Sequence, residues 1–145
     1  MKKLTIFVSL ALASCTTFPQ VETVARPTTV IETSSKQKVL DKLAELCDRG
    51  GLQIDKTEAG SITCSQEAPM AAQVLLGTKY GTNVRTRTQF NVFSITKGKI
   101  KIAPRSWAEN QTAFGQTNAT ELDTAGMRQY MQQILDQAKL EIEKK

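Results

Sequence analysis

The sequence predicts an α+β fold: an antiparallel sheet of four to five strands packed against an N-terminal and a C-terminal helix. Three observations carry this. Residues 35–49 and 120–142 repeat apolar side chains at three- and four-residue steps, which is the helical period. Between them, segments such as 83–103 alternate apolar with polar residues and reverse at short Gly-containing pairs, as paired strands do. The connections are short, which favours antiparallel neighbours, because parallel strands need long crossovers. Two amphipathic helices then cover one sheet face and leave the other open, in a two-layer domain over residues 34–145.

Composition limits the chemistry. The chain has 145 residues, 19 basic against 14 acidic, three Cys and no His. Without His there is no Ser-His-Asp triad, no Cys-His dyad and no histidine-ligated metal. The N-terminus reads Met1-Lys2-Lys3, then an uncharged, mostly apolar run from Leu4 to Ser14, then Cys15. That run is too short to span a bilayer, which takes about 20 residues, and it has the order of a secretory signal peptide. Leu12-Ala13-Ser14-Cys15 resembles the lipobox of bacterial lipoprotein precursors. The resemblance covers the signal alone and does not extend to the mature domain.

The resemblance implies residues 1–14 as signal peptide, acyl chains including palmitate on Cys15, and cleavage before Cys15. Two or more acyl chains anchor stably where one does not. Thr16, in place of the Asp that favours inner-membrane retention in such proteins, implies an outer-membrane lipoprotein facing the periplasm. Removing residues 1–14 also removes Lys2 and Lys3, leaving 17 basic and 14 acidic residues. Setting Cys15 aside leaves Cys47 and Cys64, an even pair in an exported chain, and a disulfide between them is expected.

Residues 15–33 read as the lipidated Cys and a flexible tether, rich in Thr and Val with Pro19 and Pro27. Thr28–Glu32 is its one segment with β character, an alternative edge strand. The first helix is expected from Ser35 to about Arg49, capped by Ser34 or Ser35, with Val39, Leu40, Leu43, Leu46 and Cys47 as its apolar stripe. Gly50-Gly51 ends it. A hairpin follows: Leu52 and Ile54, a turn at Thr57–Gly60, then Ile62 and Cys64. Met70–Thr78 is apolar and reads as a strand or a short helix.

Val84–Thr96 and Lys99–Ala103 form the strongest β signal, joined at Lys97-Gly98. A bulge near Asn91-Val92 would put Phe90, Phe93, Ile95, Ile100 and Ile102 on the inner face. Arg85, Arg87, Lys99 and Lys101 then point outward. Pro104 is expected to end that strand, with Trp107 and Phe114 anchoring the connection over 104–120 to the core. Thr120–Asp123 offers a capping-box-like start to the last helix. Its stripe runs through Met127, Tyr130, Met131, Ile134, Leu135, Ala138 and Ile142.

Catalytic patterns are missing. There is no Gly-rich phosphate loop and no S-x-x-K motif. No acidic cluster has a calcium-loop spacing; Glu109 and Glu121, in or beside the long connection, are conceivable facing acids, but nothing in the sequence fixes their distance. No cofactor, metal or enzymatic activity is expected. One distribution stands apart: from Ala68 to Ala108 there are seven basic residues and no acidic one. Arg85, Arg87, Lys99, Lys101 and Arg105 are therefore the candidate surface for an anion or a protein partner. Export and the lack of interleaved aromatics argue against nucleic acid. The expected function is a lipid-anchored, non-enzymatic envelope module that binds another protein, as an assembly component or an inhibitor, with anionic lipid or glycan as further partners. A small-molecule or lipid-binding module, with Met70, Met127 and Met131 lining a cleft, is the alternative.

Overall fold

A computed structural model describes residues 25–67, 82–112 and 114–144. Cys15, the residues before it and Met70–Thr78 lie outside the described residues. The element order is β1 (Thr29–Glu32), α1 (Lys36–Arg49), β2 (Gln53–Glu58), β3 (Ser61–Glu67), β4 (Thr82–Thr96), β5 (Lys99–Gln111), β6 (Thr117–Glu121) and α2 (Ala125–Glu143). The strands form one antiparallel sheet in the order β1-β5-β4-β3-β2, with β6 also paired to β5. This is the α+β arrangement of a sheet with an N-terminal and a C-terminal helix, with more strands than the four to five expected.

α1 starts where Ser35, in extended conformation, accepts a hydrogen bond from the Lys38 backbone N–H. Val39, Leu40, Leu43 and Cys47 face the sheet. α1 ends at Gly50, and Gly51 takes a φ of 73°, a turn that a side chain would strain. Leu43, Leu135, Ile62, Phe90 and Ile102 are buried together between the helices and the sheet. Cys47 and Cys64 are bonded as a disulfide that fixes the last turn of α1 to β3. Closing a loop of that sequence separation stabilises by about 3 kcal/mol in the chain-entropy account.

Four expectations are corrected. The tether does not extend to residue 33, because Thr29–Glu32 pairs with Lys99–Ile102 as an edge strand and Ile31 is fully buried. Pro104 does not end β5, which runs on to Gln111. The Ser106 carbonyl accepts from Leu122 N–H on the side away from β4. Pro104 has the same parity, so its missing N–H faces the space between β1 and β6 and removes no bond to β4. α2 begins four residues later than expected, capped by Thr124, which accepts from Met127 N–H. Thr120 and Glu121 lie in β6 instead.

The fourth correction is the register. β4 pairs with β5 without a slip from Arg85↔Glu109 to Ser94↔Ile100, straight through Val92. No bulge occurs at Asn91-Val92. The extra residue is Ile95, between Ser94 and Thr96, beside the Lys97-Gly98 turn where Gly98 has a φ of 85°. There the irregularity disturbs little of the ladder. Val84, Thr88, Phe90 and Val92 are consequently buried under the helices, whereas Phe93 and Ile95 are each 52% exposed.

Charges join the two helices at their ends. Glu141 of α2 lies 3.0 Å from Arg49 Nη1 and 3.3 Å from Lys42 Nζ of α1. Glu45 pairs with both cations from α1's own surface. Arg49 first, then Gln137 and Lys42, hold the Glu141 carboxyl at about 2, down from 4.5, against the opposing pull of burial.

Two predictions follow from this packing. Phe90→Ala should cost about 3–5 kcal/mol in urea unfolding, whereas Phe93→Ser should change stability by less than about 0.5 kcal/mol; equal costs would mean the register is wrong. Because Glu141 is depressed, its contribution is complete above 4.5 and lost as pH falls towards about 2. Glu141→Gln should therefore lower the urea midpoint at neutral pH and leave it nearly unchanged near pH 2, and a variant with parental pH dependence would remove Glu141 from the acid response.

Candidate functional site

The helices cover the face of β4 and β5 that carries Phe90, Val92, Ile100 and Ile102. The opposite face carries the odd-numbered residues of both strands, because side chains alternate along a strand. All five basic residues singled out from the sequence have this outward parity. The structure divides them into two groups. Arg87 pairs directly across from Trp107, and Lys101 from Phe93. Six residues along β4 separate these rows, roughly 20 Å.

The first group is charge-paired. Arg87 Nε lies 2.9 Å from Glu109 Oε2 and 3.5 Å from Asp55 Oδ2. It is buried without an aligned hydrogen-bond acceptor, so the contact is ionic in character, not a directed bond. Ser65 donates to Asp55 at 2.8 Å, and Trp107 Nε1 donates to Glu109 at 2.7 Å. Asp55 reaches this array because a register shift between Ile54 and Lys56 interrupts β2 there. Arg85 lies 3.6 Å from Glu67, and Arg105 lies 3.5 Å from Glu121. The basic patch read from residues 68–108 is therefore largely neutralised here by acids from β2, β3, β6 and the far end of β5, which lie outside that stretch of sequence.

The second group is not paired. β3 begins at Ser61, opposite Asn91, so β4 beyond Val92 has no strand on that side. The β4–β5 hairpin thus projects as an arm, accompanied on its other edge by β1. Lys97, Lys99 and Lys101 on this arm make no ion pair among the described residues, although Glu32 sits opposite Lys99. Phe93, Ile95 and, at 38% exposure, Val30 supply apolar surface among these lysines.

Trp107 and Phe114 were expected to anchor the connection to the core, and neither does. Trp107 is half-buried on the open face within the Arg87 array. Phe114 is 92% exposed on the turn between β5 and β6, whose Gly115 has a φ of 80°. Nothing in the sequence pattern distinguished an exposed Phe in this turn from a buried one. The 13 residues of β5 place this turn roughly 40 Å from the Lys97-Gly98 turn.

Among the described residues no three His, Cys, Asp or Glu side chains converge as metal ligands. Glu109 and Glu121 both lie beside Trp107, but each is tied to an arginine. A cleft of about 360 Å³ opens on the helix side, lined by Val84, Ala108, Thr120 and Leu122 among others. Met127 and Met131 do not line it; Met131 is buried with its sulfur accepting from Ser106. Met70 is outside the described residues. No described helix is long and apolar enough to cross a membrane.

No family model matches the chain, and no curated protein matches it. Among solved structures it is similar to the adenylate sensor from AMP-activated protein kinase in complex with 5-aminoimidazole-4-carboxamide 1-beta-D-ribofuranotide, at 10% identity over 77% of this chain and 94% of that one, with a TM-score of 0.47. A likeness that slight carries no argument about this chain.

Proposed function

We propose that this protein is a lipid-anchored lipoprotein of the bacterial envelope, at the outer membrane facing the periplasm, and that its domain is a non-enzymatic protein-binding module. The lipobox-like Leu12–Cys15 and the preceding signal-like run support the anchor and the location. The Cys47–Cys64 disulfide is compatible with an oxidising compartment.

The observation that carries the binding role is the open face around Trp107. Trp and Arg dominate binding energy where they are held in place before the partner arrives. Trp107 and Arg87 are fixed in this way by Glu109 and Asp55. Phe114, projecting at the same end of the sheet, adds an apolar anchor at the rim. The partner is a second envelope polypeptide, met by an aromatic and charge-balanced surface in which matched polar groups set the register of docking.

The test has two parts. The intact chain from its native envelope should start at Cys15, carry a lipid-sized mass increment and lack two hydrogens; an unlipidated chain overturns the anchor. A polypeptide crosslinked to the native protein in that envelope should be lost from the Trp107→Ala, Phe114→Ser variant, with affinity falling roughly tenfold or more. Undiminished crosslinking would remove this face from the proposal.

A further inference from the structure

The other end of the sheet is built differently. Its lysines make no ion pair among the described residues, its apolar side chains are exposed and its shape is a narrow arm. We infer that the tip of the β4–β5 hairpin, with β1 beside it, is a membrane-resting surface: Phe93, Ile95 and Val30 enter the headgroup region of a bilayer while Lys97, Lys99 and Lys101 meet anionic phospholipid headgroups. This rests on the envelope reading of the N-terminus, which keeps the domain within reach of a bilayer.

Three considerations select a bilayer over other occupants. The first is charge. Arg85, Arg87 and Arg105 are matched by carboxylates at 2.9–3.6 Å, whereas the three tip lysines make no ion pair among the described residues. Unmatched lysines near an anionic surface each add attraction, and their long stems let apolar neighbours sink while the ammonium groups stay at the headgroups. A second copy of the chain would bring like charges together. The second is area. A stable protein interface takes about 800 Å² from each partner, in a fitted patch. Three separated apolar side chains on a projecting arm do not make such a patch, but a fluid headgroup layer needs no matching shape.

The third is reach. Ala25 is the first described residue, and ten residue steps separate it from Cys15. They extend at most roughly 35 Å. From Ala25 to Glu32, beside the arm, is seven steps, or roughly 23 Å if extended. An acyl group on Cys15 and the hairpin tip can therefore occupy one bilayer surface together. Two weak attachments of this kind reinforce each other. In that orientation Phe114 and Trp107 point away from the bilayer, towards a partner in solution.

The experiment uses residues 15–145 with Cys15→Ser, so that no acyl chain and no signal segment contribute. The described core, from Ile31 to Ile142, lies wholly within that span. Cosedimentation is measured with vesicles of phosphatidylcholine containing phosphatidylglycerol and with phosphatidylcholine alone. Binding to the anionic vesicles only, declining with salt, is expected. Lys99→Glu with Lys101→Glu should weaken it roughly tenfold or more. Phe93→Ser with Ile95→Ser should weaken it as well, and Arg85→Gln, at the other end, should not. Urea midpoints confirm that each variant is folded, and the two pairs of substitutions act independently should one of them fail to fold. Absence of binding, equal binding to both vesicles, or parental binding by both tip variants overturns the inference. So does loss of protein crosslinking in the tip variants without any vesicle binding, which would make the tip a protein-docking site. An unlipidated native chain would overturn the anchor and leave a positive vesicle result standing.

Discussion

The pairing of β4 with β5 holds its register from Arg85 to Ser94. In a pleated pair this separates the residues of both strands into two sets. One set, including Phe90, Val92, Ile100 and Ile102, is buried by the helices. The other includes Arg85, Arg87, Phe93, Lys99, Lys101 and Trp107, and it forms the open face. A slip of one residue would exchange the sets, exposing Phe90 and placing an arginine against Leu43 and Leu135. The surface therefore has its chemistry because the core has its own. The two irregularities fall at the ends of the pairing, one between Thr82 and Arg85 and one at Ile95 beside the Lys97-Gly98 turn.

The open face is then divided by its neighbours. Where β2, β3 and β6 flank the central pair they bring Asp55, Glu67 and Glu121, and each acid meets an arginine. Where β4 and β5 run past the start of β3, Glu32 of β1 sits opposite Lys99, yet Lys97, Lys99 and Lys101 make no ion pair among the described residues. A single uncovered face thus acquires a fixed, charge-balanced aromatic end and a cationic, apolar end, their Trp107 and Lys101 rows roughly 20 Å apart along the strands. On the proposed reading, this polarity would allow one small domain to rest on a bilayer at one end and meet a partner at the other.

The helices hold this arrangement from the opposite side by three attachments of different kinds. The Cys47–Cys64 bond fixes α1 to β3 covalently. The cluster of Lys42, Arg49, Glu45 and Glu141 joins α1 to α2 through charge, and Glu143 accepts from the Glu32 backbone N–H at 2.9 Å. That last bond occupies a donor of the edge strand β1, which limits its ability to pair with another chain.

Much of the fold was legible because it is local. Ser35 as a cap, the α1 stripe, Gly50-Gly51, the Lys97-Gly98 turn and the disulfide pair all follow from spacing and residue type. The outward parity of Arg85, Arg87, Lys99 and Lys101 was legible for the same reason, whereas that of Arg105 was not, because the strand was expected to end at Pro104. The rest depended on which segments meet. Pro104 looks like a strand end until β5 is seen to have a gap on that edge. Thr29–Glu32 looks like tether until β5 offers it a free edge and the core accepts Ile31. Asn91-Val92 looked like the place for a bulge because two apolar parities had to be reconciled, yet Phe93 did not need to be buried. The sequence by itself determined the α+β class, the helices, the covalent bond and the sign of each surface charge, since these are set by periodicity and chemistry within a few residues. Only the tertiary structure decided which charges are neutralised, because Asp55, Glu67 and Glu121 reach their arginines through strand pairings that no local pattern specifies.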